Sequence, residues 1–201
     1  MRIGVYGGAF SPIHNGHVAA AKAFMKQMWL DLLLVIPTGQ SPHKEMDGQA
    51  SAEDRLRMCE LAFAGVDGVI VSDIEMRREG KSYTADTLKA LSARYPDSRL
   101  FLLLGTDMFL TLDKWYHPEE IFRLSYPVYV RREDDRNNDG MIIDKIEEYR
   151  AKYGKVVRKI VVPPTVISSF DIRAAIAGGQ DVSAWLDPAV AAYIRERGLY
   201  R

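Results

Sequence analysis

Met1-Arg2-Ile3-Gly4-Val5-Tyr6-Gly7-Gly8-Ala9-Phe10-Ser11-Pro12-Ile13-His14-Asn15-Gly16-His17 is the stretch on which the fold turns. Residues 3–6 form a short apolar run that is continuous rather than alternating, as suits a strand buried on both faces. The run ends at Gly7-Gly8, and from Val18 to Met28 the sequence has helical character. A strand, a glycine turn and a helix start in that order make a phosphate site. Glycines let a phosphate approach the backbone, and the helix N-terminus contributes N–H groups and positive potential. His14 and His17 are three apart, so a helix beginning by Asn15 puts both imidazoles on one face, where both can donate to one polyphosphate. Two other readings use the same residues. One histidine can cap the helix while the other packs in the core, or the pair can ligate a metal, although no Cys, Asp or Glu in this segment has ligand spacing. The glycine pattern matches neither the dinucleotide fingerprint nor a Walker loop.

Outward from this segment, further continuous apolar runs stand at 32–36, 69–71, 100–104, 128–130 and 160–162. Between most of them lie helical patterns at 16–28, 52–64, 84–95, 118–124 and 141–153. That alternation predicts crossover units and a parallel sheet. Ser51-Ala52-Glu53-Asp54 resembles a capping box, Asp187-Pro188 marks a helix start, and Gly198 marks its end. The polar stretch 131–140 reads as a solvated loop. No internal repeat, low-complexity segment or long linker interrupts the chain.

With 201 residues, 47% of them hydrophobic, the chain can bury a core and suits one domain, 1–201. Lys+Arg and Asp+Glu both total 27, so no net field recommends nucleic acid or membrane as partner, and any phosphate site must be local. Cys59 is the sole cysteine, which excludes an intramolecular disulfide and fits a reducing compartment. No secretory h-region is present, and no apolar run approaches the ~20 residues of a membrane span. A cytoplasmic location is expected. The sequence leaves oligomeric state open, a homo-oligomer included.

Two further segments carry phosphate chemistry. Ile167-Ser168-Ser169-Phe170-Asp171-Ile172-Arg173 puts two hydroxyls and a guanidinium at a helix start. Arginine's planar fork holds phosphate oxygens, and serines with N-terminal N–H groups can complete the cradle. The same residues are also consistent with a serine that merely caps the helix and an arginine in solvent. Pro37-Thr38-Gly39-Gln40-Ser41-Pro42-His43-Lys44 follows the second strand, and Lys44 can reach a phosphate as a flexible point charge or simply lie on the surface.

With His14-Asn15-Gly16-His17 as HxGH and residues 167–173 as ISSxxIR, the chain resembles the nucleotidyltransferase superfamily that shares an ATP site with class I aminoacyl-tRNA synthetases. Within it, the chain is similar to the nicotinate-nucleotide adenylyltransferase family almost from end to end. The similarity runs through 7–17, Pro42-His43-Lys44, Ser82-Tyr83-Thr84-Ala85-Asp86-Thr87-Leu88, Leu104-Gly105-Thr106-Asp107 with Trp115, and 167–173. The chain departs from the family at Ala9, Ser11 and Phe170, where Thr, Asp and Thr are common.

The resemblance implies a Rossmann-like, doubly wound α/β sheet with a small C-terminal helical part. It implies attack by the phosphate oxygen of nicotinate mononucleotide on the α-phosphate of ATP, in NAD biosynthesis, with Mg²⁺ accompanying ATP and no metal ligands from the protein. By the same resemblance, His14, His17, Lys44, Ser169 and Arg173 neutralise the triphosphate. Gly8, Ala9, Phe10, Gly16, Gly105, Asp107, Ile167 and Ser168 line the ATP site, and Thr84, Trp115 and Tyr116 stand near the acceptor's pyridine ring. Trp115 as core filler, with Asp107 and Thr84 as helix caps, are the structural alternatives. Rival functions are a sister enzyme acting on phosphopantetheine or nicotinamide mononucleotide, and a nucleotide-binding regulator without turnover.

Overall fold

The computed structural model describes residues 1–40, 50–132, 139–163 and 167–201. The strands are β1 (Arg2–Gly8), β2 (Leu32–Pro37), β3 (Val69–Val71), β4 (Arg99–Gly105), β5 (Ser125–Arg132) and β6 (Arg158–Val162). The helices are α1 (Asn15–Gln27), α2 (Ala52–Ala62), α3 (Thr84–Arg94), α4 (Thr106–Leu110), α5 (Pro118–Leu124), α6 (Asp139–Tyr153), α7 (Ser169–Ala177) and α8 (Pro188–Arg197), with a 3-10 turn at Leu112–Lys114. The sheet is parallel, as the continuous apolar runs predict, and its order β3-β2-β1-β4-β5-β6 is the doubly wound arrangement that the family resemblance implies. Each expected strand is present. β5 is longer than its apolar run because Pro127 interrupts the pattern without ending the strand. Pro127 pairs with Leu102 of β4, while β6 pairs with β5 only from Val128 onward, so on the β6 side the missing N–H interrupts no recorded ladder pair. Residues 133–138, most of the expected polar loop, lie outside the described residues.

The chain divides into two compact units: Met1–Tyr6, Lys22–Leu33 and Tyr83–Pro164 in one, Gly7–Ala21, Leu34–Ser82 and Thr165–Arg201 in the other. In the first unit, β4 supplies five consecutive buried residues, Leu100 to Leu104. Gly4 lets β1 pack closely on the end of α1, since a Cβ there would stand 2.5 Å from Leu30 Cδ1 and 2.8 Å from Phe24 Cε1 and force those side chains to shift. At the free side of β6, the Gln27 side-chain amide donates to the Val161 carbonyl at 2.8 Å and accepts from the Val161 N–H at 3.1 Å.

Tyr149 on α6 fastens the 3-10 turn in the same unit. Its hydroxyl lies 2.9 Å from both the Phe109 carbonyl oxygen and Asp113 Oδ1, and Lys145 Nζ lies 3.1 Å from Asp113 Oδ2. Burial alone would raise the Asp113 pKa, but hydrogen bonds from Lys145 and Tyr149 hold it below the usual carboxylate range. This contribution to stability is therefore complete above the ordinary carboxylate pKa and is lost as pH falls through the lowered one. Tyr149→Phe is expected to cost about 2 kcal/mol, because buried acceptors lose their donor. A denaturant midpoint unchanged from the wild type would refute that account.

In the second unit, α2 begins at Ser51, whose Oγ accepts from Asp54 N at 3.0 Å. α2 and α8 are joined through Asp54, whose Oδ1 accepts from the Tyr193 hydroxyl at 2.7 Å and from Arg197 Nε at 3.3 Å. Asp187 caps α8 by accepting from Ala189 N at 2.8 Å, and Gly198 ends it with φ 62°. These are the boundaries read from Ser51, Asp187-Pro188 and Gly198. Cys59 is fully buried on α2, and burial pushes its thiol pKa up, which keeps it an inert core residue.

Candidate active site

β1 runs directly into residues 7–17, and α1 starts at Asn15, so the two histidines bracket the first turn of a helix. His17 N donates to the His14 carbonyl at 2.9 Å, and the imidazole rings stack with centroids 3.7 Å apart. His14 is buried. His17 is half-buried, and Phe10 packs against it edge-on at 5.2 Å. Desolvation first and His14 second hold the His17 pKa down to about 3, so the ring is neutral near pH 7. His14 N donates to His17 Nδ1 at 3.3 Å, which leaves the proton of the neutral ring on Nε2. The first turn of α1 contains no acidic residue, as suits a site for an anion.

The turn itself is tightly shaped. Phe10 has φ 48°, the Ser11–Pro12 peptide is cis, and a Cβ on Gly8 would press on the Phe10 ring at 3.0 Å. Asn15 N donates to the Trp185 carbonyl at 2.9 Å, which ties the start of α1 to the segment before α8.

The second motif reaches the same turn. Ser169 Oγ donates to the Pro12 carbonyl at 2.9 Å, and Arg173 Nη1 donates to the Ser11 carbonyl at 2.7 Å. Arg173 is therefore bound to the turn rather than left in solvent. Ser168 is the helix cap: its Oγ accepts from Asp171 N at 3.2 Å, and Asp171 Oδ2 accepts from Ser168 N at 3.0 Å. Ile167 stands just ahead of the cap, half-buried, while Phe170 is 70% exposed. Tyr200 reaches back to the turn as well, its hydroxyl 3.1 Å from the buried Ser11 Oγ. Burial, the largest influence on this phenol, pushes its pKa up to about 12. The second unit thus brings together Gly8, Ala9, Phe10, His14, Gly16, His17, Ile167, Ser168, Ser169 and Arg173. Lys44 lies outside the described residues.

The remaining expected site residues belong to the first unit. Gly105 ends β4 and precedes α4, and a Cβ there would meet nothing within 4 Å. Asp107 lies in the first turn of α4 without a side-chain capping bond. Thr84 is the first residue of α3, whose N-cap is Tyr83, so Thr84 is not the cap. Trp115 is half-buried at the end of the 3-10 turn and so is not core filler. Its neighbour Tyr116 packs on Tyr83 with ring centroids 4.3 Å apart, which brings the residues flanking Thr84 and Trp115 into contact. Among the described residues no group of three or more His, Cys, Asp or Glu could hold a metal ion, and no helix is long and apolar enough to cross a membrane.

Three side chains of this arrangement escape a motif reading. Arg55 is an arginine on the buried face of α2, and Tyr200 stands far along the chain from the turn it touches. Tyr83 sits within the Ser82–Leu88 motif, but its partner is visible only in three dimensions. For Arg55 the one available signal is its spacing from Cys59 and Met58 on the apolar side of the helix.

A doubly wound sheet with a histidine-bearing turn joined to a late Ser–Arg motif defines a nucleotidyltransferase, and a family model described as cytidylyltransferase-like matches residues 5–175. A protein of Neisseria meningitidis serogroup B named "Probable nicotinate-nucleotide adenylyltransferase" is 38% identical, covering 99% of this chain and 98% of its own. One of Dehalococcoides mccartyi with the same name is 36% identical, covering 100% and 97%. The chain belongs to the nicotinate-nucleotide adenylyltransferase family within the cytidylyltransferase-like nucleotidyltransferases. The fold is also similar to that of Plasmodium falciparum nicotinic acid mononucleotide adenylyltransferase complexed with NaAD, at TM-score 0.78 and 18% identity over 99% of this chain and 97% of that one. The same enzyme complexed with APC gives TM-score 0.75 at 17% identity, covering 99% and 96%.

Proposed function

We propose that the chain, acting as one nucleotidyltransferase domain in the cytoplasm, transfers the adenylyl group of ATP to nicotinate mononucleotide. A phosphate oxygen of the mononucleotide forms the new bond to the α-phosphorus, the bond from that phosphorus to the β-phosphate bridge breaks, and pyrophosphate leaves beside nicotinate adenine dinucleotide. The observation that carries this reading is the convergence of His14, His17, Ser169 and Arg173 on a single turn, across 157 and 162 residues of sequence. The nucleophile is already anionic, so no general base is needed. The protein's task is in-line positioning and neutralisation of charge on the leaving group. Neutral His17 donates from Nε2, Arg173 supplies a permanent cation, and Ser169 adds a hydroxyl. Lys44 is assigned to the same phosphates on the sequence motif alone. Mg²⁺ would enter with ATP as part of the nucleotide substrate and would offset negative charge on its phosphates.

In this reading Gly105 and Asp107 serve the ATP nucleoside, while Thr84, Trp115 and Tyr116 serve the acceptor's pyridine ring. Trp115→Ala is expected to raise the KM for nicotinate mononucleotide about tenfold with kcat little changed, as loss of uniform binding does. An unaltered KM would remove Trp115 from the site. The function itself is tested by pyrophosphate release with ATP and Mg²⁺, comparing nicotinate mononucleotide, nicotinamide mononucleotide and phosphopantetheine. A large kcat/KM preference for the first is expected. Release with another acceptor would reassign the substrate, and no release with any would leave a nucleotide-binding regulator.

A further inference from the structure

We infer that Arg55 is a positioning residue for ATP, its buried guanidinium locking the Ala9–Phe10 turn in the shape that receives the triphosphate. This rests on the adenylyl-transfer reading of residues 7–17. Arg55 lies on α2 and is 2% exposed. Its Nη1 donates to the Ala9 carbonyl at 2.9 Å and its Nη2 to the Gly39 carbonyl at 3.2 Å. Among the described residues no carboxylate comes within ion-pair distance of it, and Glu53 and Glu75 favour its charge only from farther away. Burial lowers its pKa, yet a guanidinium remains charged at any working pH.

A buried cation without an ion pair is a poor stabiliser, and an apolar side chain of the same volume would be cheaper to bury. Geometry is what the guanidinium adds. In a trans peptide the C=O and N–H point in opposite directions, so drawing the Ala9 carbonyl toward α2 fixes the direction of the Phe10 N–H away from it. Phe10 holds φ 48°, a left-handed conformation that is unfavourable for an L-residue and persists only where the surroundings over-determine it. Arg55 is one such constraint. The buried Phe10 ring, wedged between Gly8 and His17, is another.

The second prong engages a residue that is itself fixed. A Cβ on Gly39 would stand 2.7 Å from the Glu75 carbonyl oxygen and 3.0 Å from Ser82 Oγ, so the Gly39 backbone has no room to follow a retreating donor. The planar fork spans the segments that follow β1 and β2 at once. A lysine ammonium on a single stem can reach only one of the two carbonyls with comparable geometry.

The experiment compares wild type, Arg55→Lys and Arg55→Met. ATP affinity is measured by calorimetry without acceptor, and the KM for nicotinate mononucleotide at ATP concentrations scaled to each variant's Kd. ATP affinity is expected to fall about a hundredfold in Arg55→Met and about tenfold in Arg55→Lys, with the acceptor KM unchanged. Wild-type ATP affinity in either folded variant would overturn the inference, as would an equal loss for both ligands, which marks a general packing role. Should Arg55→Met fail to fold, Arg55→Lys decides. A wild type that binds ATP but releases no pyrophosphate overturns the functional reading and leaves the Arg55 comparison intact. A wild type that binds no ATP overturns both.

Discussion

Replacing His17 with alanine is expected to lower turnover about a thousandfold while the protein keeps its fold, the scale on which a pre-placed donor to a developing charge matters. His17 is half-buried against the rings of His14 and Phe10, with its Nδ1 accepting from His14 N, so its removal leaves a gap at the site rather than in the middle of the core. His17→Ala near wild-type turnover would end its assigned role. The same variant carries a pH signature. The folded ring has a pKa near 3, against an ordinary value of 6.5, so the unfolded chain binds more protons between those values. Stability at this residue is therefore present above pH 6.5 and is lost progressively as pH falls toward 3. His17→Ala should flatten that part of the acid-denaturation curve, and an unchanged slope would show that the imidazole is not held neutral by its surroundings.

Arg173→Lys is expected to reduce kcat/KM about a hundredfold, although it preserves charge. In the free protein one guanidinium N–H is committed to the Ser11 carbonyl, and the others make no hydrogen bond among the described residues. One arginine can thus hold the turn and still offer a fork to phosphate oxygens. An ammonium lacks that rigid spread and must choose between the two tasks. Steady-state kinetics with ATP varied provides the check: if Arg173→Lys retains wild-type kcat/KM, point charge suffices and the fork is irrelevant.

The sheet was readable because its strands are buried on both faces. Runs such as Leu100 to Leu104 leave periodicity no second interpretation once glycines and helical patterns bracket them. The motif residues were readable for a different reason, since HxGH and ISSxxIR keep their order and spacing along the chain. What stayed hidden depends on the fold. α4 and the 3-10 turn are too short to show a helical period, and Tyr200 acquires meaning only when it reaches Ser11. Arg55 reads in sequence as one polar residue among several on α2, and only its burial and its two carbonyl partners distinguish it. Local capping logic fared well at Ser51, Asp187 and Ser168. It failed to identify Tyr83 as the α3 cap, because that residue offers no side-chain capping bond.

The Gln27 amide beside β6 bears on how copies of this chain avoid one another. An outer strand of a parallel sheet presents unpaired N–H and C=O groups that invite another polypeptide to add a strand. Val161 faces a primary amide that copies a peptide unit, donor to acceptor and acceptor to donor, but has no further residues on which a ladder could propagate. One side chain from the last turn of α1 therefore terminates the sheet chemically, and any self-association of the enzyme has to use a surface other than this rung of β6.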